Sequence, residues 1–277
     1  MGGIYACIGL SLVMIYQSTH LINFAQGEMA MFSAFIALAL IEAGIPFWWA
    51  FALTLIIAFA FGVGVERLLI RPFGDNAGLP VVIVMIGMLV ILNSVAGWIW
   101  SYNVKSFPSP FAEFKSLNTP FASAHELGSI LMMGILLAIL FVFFRFTSVG
   151  LAMRAAAYNP KSSRLVGIRV GWMYALGWGL AAAIGAIAAM LVANVVFLEP
   201  NMMGGMLLYG FAGALLGGIS NPWGAVAGGI IVGIVENLLG AYVIGTDLKL
   251  TAALVLIIGV LTVIPQGLFG KTIVKRV

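Results

Sequence analysis

An all-α polytopic membrane protein with about eight to nine transmembrane helices is predicted by three observations. The first is composition: 63% of residues are hydrophobic and 8% charged, with a mean hydropathy of +1.15, against about 25% charged in soluble domains. The second is the recurrence of apolar runs near the length, about 20 residues, that crosses a hydrocarbon core. The third is the distribution of basic residues, which gather at the ends of particular runs as the positive-inside rule requires. Together they predict one transmembrane domain over residues 1–277 with no room for a separate soluble domain.

Taken in order, the apolar runs are Gly3 to Tyr16, Met29 to Ala43, Phe47 to Ile70, Pro80 to Trp100, Leu127 to Phe144, Trp172 to Val196, Met203 to Ile219, Gly224 to Val243 and Leu250 to Ile264. Arg67 and Arg71 close the third, a basic segment follows the fifth, and Lys271, Lys275 and Arg276 follow the last. These three ends are therefore expected in the cytoplasm, which places the N-terminus outside. The start lacks a basic region and a small-residue cleavage site, so the first run is read as a span and not as a removable signal. The loop from Ser101 to Glu126 lies on the outer side in this topology. It balances Lys105 and Lys115 against Glu113 and Glu126, carries Pro108, Pro110 and Pro120, and follows Trp98, Trp100 and Tyr102 as an interfacial aromatic belt.

The first, second and seventh runs are short or broken, which predicts discontinuous helices in two related halves. Gln17 to Glu28 is polar without being basic, and Leu198 to Gly205 interrupts the other half. Irregular backbone at membrane depth survives only where protein or a water-filled cavity surrounds it, so paired interruptions point to a transport pathway; two ordinary short loops are the plain alternative. Small residues at spacings of four, Gly210/Ala214/Gly218 and Gly224/Gly228, predict close helix packing. Cys7, alone in an apolar run, reads as a small buried hydrophobe.

Arg145 to Gly171 carries five of the thirteen basic residues (Arg145, Arg154, Lys161, Arg164, Arg169) and no acid. It is expected to be a cytoplasmic loop that fixes orientation and offers a surface to a partner, with a short helix over Leu151 to Ala157 that stops before Pro160. Catalysis is not expected: there are two histidines, His20 and His125, and neither an H-E-x-x-H nor a C-x-x-C pattern nor a G-x-x-x-x-G-K-[S/T] phosphate loop. No metal and no cofactor is expected, any ATP hydrolysis has to be supplied by another chain, and the net charge of +4 belongs to membrane ends and not to nucleic acid.

A charge inside the bilayer is costly and faces a cavity or a partner. Glu42 and Glu66 are expected at membrane edges and need no function there. Glu28, following Asn23, Gln26 and Gly27, opens a helix whose positive end favours an acid, and Glu236 with Asn237 lies midway along an apolar run. Asn23, Gln26, Glu28 and Glu236 are the candidate solute-path residues, the plain alternatives being a helix-opening carboxylate for Glu28 and structural hydrogen bonding between helices for Glu236. These residues alone leave open an ion- or proton-coupled secondary transporter or channel for a small polar solute, seated on Glu28 and Glu236.

The opening GGIYACIGLSLVMIYQSTHLINFAQGEMAMFSAF resembles that of permeases of branched-chain amino acid ABC transporters, of the shorter permease type, with Ile22 to Glu28 close to their INFAHGE signature. ERLLIRPF (Glu66 to Phe73) resembles their E-R-x4-R-P element, and Gly150 to Ile168 their cytoplasmic loop. Gly213 to Leu238 resembles their glycine-rich region, and PQGLFG (Pro265 to Gly270) their PTGLFG ending. Gln26 stands where those chains have His, and Tyr158, Asn159 and Ser163 stand where acidic or alanine residues are more usual. Relatives of this type carry more residues before the GGIYA-like segment, so a true start upstream of Met1 is expected.

The resemblance implies a permease subunit of an ATP-driven importer in the bacterial cytoplasmic (inner) membrane. It moves branched-chain or similar amino acids inward by alternating access, is surrounded by membrane lipid, and does not bind nucleic acid. Its implied partners are a homologous second permease, two cytoplasmic ATPase subunits and an extracytoplasmic solute-binding protein. Residues 145–171 would be the coupling loop, with Arg154, Ala155, Ala157, Asn159, Leu165, Gly167 and Ile168 at the ATPase contact.

Overall fold

The computed structural model describes residues 1–19, 21–76, 78–111, 123–243, 245, 248–264 and 266–270. Each of the nine apolar runs becomes a helix: α1 Gly2–Thr19, α2 Gln26–Glu42, α3 Phe47–Val65, α4 Leu79–Trp100, α5 Ala124–Phe146, α8 Val170–Val196, α9 Met203–Gly217, α10 Pro222–Tyr242 and α11 Lys249–Val263. Two shorter helices, α6 Ser148–Tyr158 and α7 Pro160–Leu165, fill the basic segment. A π-helical turn over Glu66–Ile70 and a 3₁₀ stretch over Arg71–Asn76 prolong α3. Among the described residues six helices are long and apolar enough to cross a membrane, whereas α2, α9 and α11 have 17, 15 and 15 residues.

Helices α1 and α8 form the centre. Tyr5, Cys7, Ile8, Val13 and Ile15 of α1 and Trp178, Ile184 and Leu191 of α8 are all but inaccessible, while α3, α4 and α5 turn Ile56, Ile83, Ile91, Ile130 and Ile139 outward to lipid. Helices α9 and α10 close on α1 through the glycines: a Cβ on Gly229 would stand 2.5 Å from the Ala6 backbone, and one on Gly213 would stand 2.5 Å from Gly229 Cα, separations that only bare backbones permit. Of the predicted small-residue row, Gly210 and Ala214 do meet Gly9 of α1, but Gly218 lies beyond the helix at φ +105. There the chain end folds back: the Leu268 and Phe269 amides donate to the Leu216 and Gly217 carbonyls at 2.7 and 3.1 Å, closing carbonyls that the end of α9 leaves free.

Both predicted interruptions are shorter than their polar sequence suggests. Gln17, Ser18 and Thr19 continue α1, because Ser18 and Thr19 donate to the Ile15 carbonyl at 2.8 and 3.0 Å and Gln17 donates to the Ser220 carbonyl at 2.9 Å. Gln26 to Glu28 form the first turn of α2, and Met203 to Gly205 that of α9. The outer aromatic belt is also divided. Trp98 and Tyr102 are exposed, but Trp100 turns inward, stacked on Phe35 with ring centres 5.1 Å apart and edge-on to Phe32 at 5.5 Å. The expectations for Glu113, Lys115, Pro120, Pro265 and the basic residues after Gly270 lie outside the described residues, as does His20.

Candidate functional site: a polar junction within the helix bundle

The first turn of α2 lies well inside the bundle. Gln26 Nε2 donates to the Ala181 carbonyl at 2.9 Å, and Ala181 stands about 17 Å along α8 at 1.5 Å per residue. Gly185 makes room for this, since a Cβ there would sit 2.7 Å from the Gln26 amide. Asn23 shapes the turn from within. Its Oδ1 accepts the Ala25 amide at 3.0 Å and its Nδ2 donates to Gln26 Oε1 at 3.2 Å, so the two amide side chains are spent on the backbone and on each other. Asn23 and Gln26 are 0% and 1% exposed and Glu28 7%.

Glu28 occupies the third position of α2 and faces the Asn93 side chain of α4. Asn93 donates to the Pro200 carbonyl at 2.9 Å and to Asn201 Oδ1 at 3.1 Å, and it accepts from the Tyr102 hydroxyl at 3.4 Å. The α2 break and the α8–α9 break are therefore joined through one amide. They also touch directly: a Cβ on Gly27 would lie 3.3 Å from that of Met203 and 3.5 Å from that of Leu207. The first turns of these two short helices thus lie against each other, and the positive end of a helix favours anionic groups. The second break is held on its other side as well, where Lys105 and Leu198 exchange both backbone hydrogen bonds at 2.9 Å.

Glu236 stands apart from this junction. It pairs with Lys249 Nζ at 3.1 Å and accepts from the Tyr5 hydroxyl at 3.4 Å, while Tyr5 stacks on Tyr209 at 4.8 Å. This links α1, α9, α10 and α11, and neutralises a carboxylate that would be costly alone. Asn93 was not among the sequence candidates. Its signal was available as a lone amide in an otherwise uncharged apolar run, but the partners that give it meaning come from two other elements.

At the basic end of the bundle, residues 147–169 form two capped helices. Thr147 accepts the Gly150 amide at 3.0 Å and Asn159 accepts the Ser162 amide at 3.0 Å, with Pro160 at the first position of α7. The predicted short helix is present and longer, from Ser148 to Tyr158, while Arg145 belongs to α5 and Gly171 to α8. A left-handed Gly167 at φ +84 ends α7, its amide donating to Arg164 and that of Ile168 to Ser163 at 3.1 and 3.0 Å, the paired bonds of a Schellman motif. Met153 and Ala156 are buried, and the Met153 methyl approaches the Cβ position of Gly177, which also lies 3.3 Å from Ser18 Cβ. Tyr158, Leu165 and Val166 are 93%, 89% and 77% exposed, and Arg154 is exposed beside them. Apolar side chains on a basic segment outside the apolar band are the mark of a contact surface.

A cleft of about 350 Å³ opens between Phe141, Phe144, Arg145, Arg154 and Trp223. Phe141 of α5 and Trp223 of α10 meet edge-on at its rim, with ring centres 5.4 Å apart, and α6 packs on α5, α8 and α1.

Comparison with known proteins places this architecture. The family described as branched-chain amino acid transport system / permease component matches residues 1–263. The high-affinity branched-chain amino acid transport system permease protein LivH of Escherichia coli is 31% identical over 293 residues, covering 100% of this chain and 94% of that one. The corresponding protein BraD of Pseudomonas aeruginosa is 32% identical over 296 residues, with 100% and 95% covered. A probable LivH of Methanocaldococcus jannaschii is 28% identical over 278 residues, with 95% and 87% covered. No solved structure matches the chain. With nine apolar helices among its described residues, paired short helices and a capped basic segment, this multi-pass membrane chain belongs to the family of branched-chain amino acid transport system permease components.

Proposed function

We propose that the chain is the transmembrane permease subunit of an ATP-driven importer that carries branched-chain or similar amino acids across the bacterial inner membrane. The observation that carries this reading is the junction of α2 and α9 through Asn93 within the bundle. Rearranging the two short helices there opens or closes a polar route without unravelling a long span. An amino-acid zwitterion needs partial positive charge for its carboxylate and an acceptor for its ammonium. The first-turn amides of α2 and α9 supply the former and Glu28 the latter, with Asn23 and Gln26 holding the turn in shape. Glu236, held by Lys249, meets a solute ammonium only by giving up that partner.

Residues 147–169 are the docking element for two ATPase subunits. Arg154, Leu165 and the exposed ends of α6 and α7 make the contact, Asn159 and Gly167 cap the helices that present it, and Ala155, Ala157 and Ile168 line its inner side. A displacement of α6 reaches the transport route by a short path, since Met153 and Ser18 share the Gly177 contact and the chain from Ser18 leads through Asn23 to Gln26. A homologous second permease completes the membrane portion, and a solute-binding protein delivers the amino acid from outside.

Affinity purification from the native membrane in mild detergent tests the reading. Two ATPases and a second permease are expected to co-purify. Recovery of this chain alone, under conditions that preserve a known ABC complex, would favour a secondary transporter acting without them.

A further inference from the structure

The ERLLIRPF element has no place in the route or in the docking surface, and Glu66, expected at a membrane edge, is also buried within the protein. It is 2% exposed. Arg71 grips it with both arms of its guanidinium, Nη2 to Oε2 at 2.7 Å and Nε to Oε1 at 3.2 Å. The same Nη2 donates to the Gly171 carbonyl at 2.6 Å, and the Arg67 guanidinium lies 3.7 Å over the Trp172 ring. Two arginines of one turn thus hold the first residues of α8, at the point where the basic segment re-enters the bundle.

The local backbone explains the pairing. Residues five apart do not share a face of an α-helix, but a π turn closes from i to i+5 and brings them together. Here the Arg71 amide bonds the Glu66 carbonyl across the Glu66–Ile70 turn. We infer that Glu66 and Arg71 are a positioning pair that clamps the exit of the 147–169 segment to α3. The inference rests on reading that segment as the ATPase docking element. A buried carboxylate tolerates its site only with a well-placed cation, and a rigid planar fork holds both carboxylate oxygens in a fixed geometry that a point-like ammonium does not reproduce. Helices α3 and α8 are themselves closely packed, with Gly62 against the Trp178 carbonyl. Through the clamp, a movement of the docking segment turns α3 and α8 as one body.

Hydrogen–deuterium exchange on the purified full-length chain in lipid nanodiscs, followed by ATPase assay of the co-purified complex, tests this. Arg71 has a side chain 41% exposed, so Glu66→Gln leaves its charge within reach of water and the variant should insert. In Glu66→Gln, amides of residues 148–172 should exchange at least tenfold faster while those of α1 and α10 keep their rates. Arg71→Lys should be intermediate and Arg169→Gln unchanged. Solute-stimulated ATPase activity should fall at least fivefold in Glu66→Gln with the basal rate retained. Wild-type exchange over 148–172, or acceleration throughout the bundle, would overturn the clamp. If no ATPase accompanies the wild-type chain, the docking reading fails separately, and the exchange rates still decide whether the clamp exists.

Discussion

Gly167→Val is expected to remove at least nine-tenths of the solute-stimulated ATPase activity of the complex while leaving the chain in the membrane. A left-handed backbone costs an ordinary residue about 1–2 kcal/mol, and a β-branched one fares worse. At φ +84 the valine must therefore break the paired bonds to Ser163 and Arg164 or strain against them, and either outcome re-aims Leu165, Val166 and Ile168. No heavy atom lies within 4 Å of the Cβ position, so steric damage to the bundle is not the cause. Gly167→Asn separates the explanations, since asparagine accepts the left-handed conformation far more readily and should keep most of the stimulation. Full stimulation in Gly167→Val would place docking elsewhere on the chain.

The second large effect is expected at the junction. Asn93→Leu keeps the size of the side chain and removes its hydrogen bonds to Pro200 and Asn201. At about 1 kcal/mol each, two lost bonds shift the balance between this conformation and its alternatives by about thirtyfold. Uptake into reconstituted vesicles should fall tenfold or more, with the ATPases still co-purifying because the docking surface is untouched. Uptake at the wild-type rate would show that the amide linking the two breaks is not part of the transport cycle.

How much of this was legible beforehand depends on whether a feature is local. The apolar runs were local, and each became a helix. Their ends were less so: Gln17 to Thr19 look like loop because they are polar, yet they stay helical by returning their hydrogen bonds to Ile15 and by reaching Ser220 across the bundle. Pro160 marked the end of the first short helix from sequence, whereas the caps at Thr147 and Asn159 emerged only from the structure. Asn23, Gln26 and Glu28 were found as a group because they sit in one turn. Asn93 was not, because its partners are 107 and 108 residues away. The partner of Glu66 was hidden for a different reason: residues five apart do not share a face of an α-helix, and it took the π turn to present Arg71. Glu236 shows the same limit, since Lys249 reaches it from the next helix.

The most direct test of the central claim is uptake by the co-purified complex in sealed vesicles, with binding protein outside and either ATP inside or an imposed proton or sodium gradient. The account predicts accumulation of leucine or a similar amino acid that requires internal ATP and ignores the gradient. Accumulation that follows the gradient without ATP would contradict it, and would return Glu28 and Glu236 to the role of ion or proton seats in a secondary transporter.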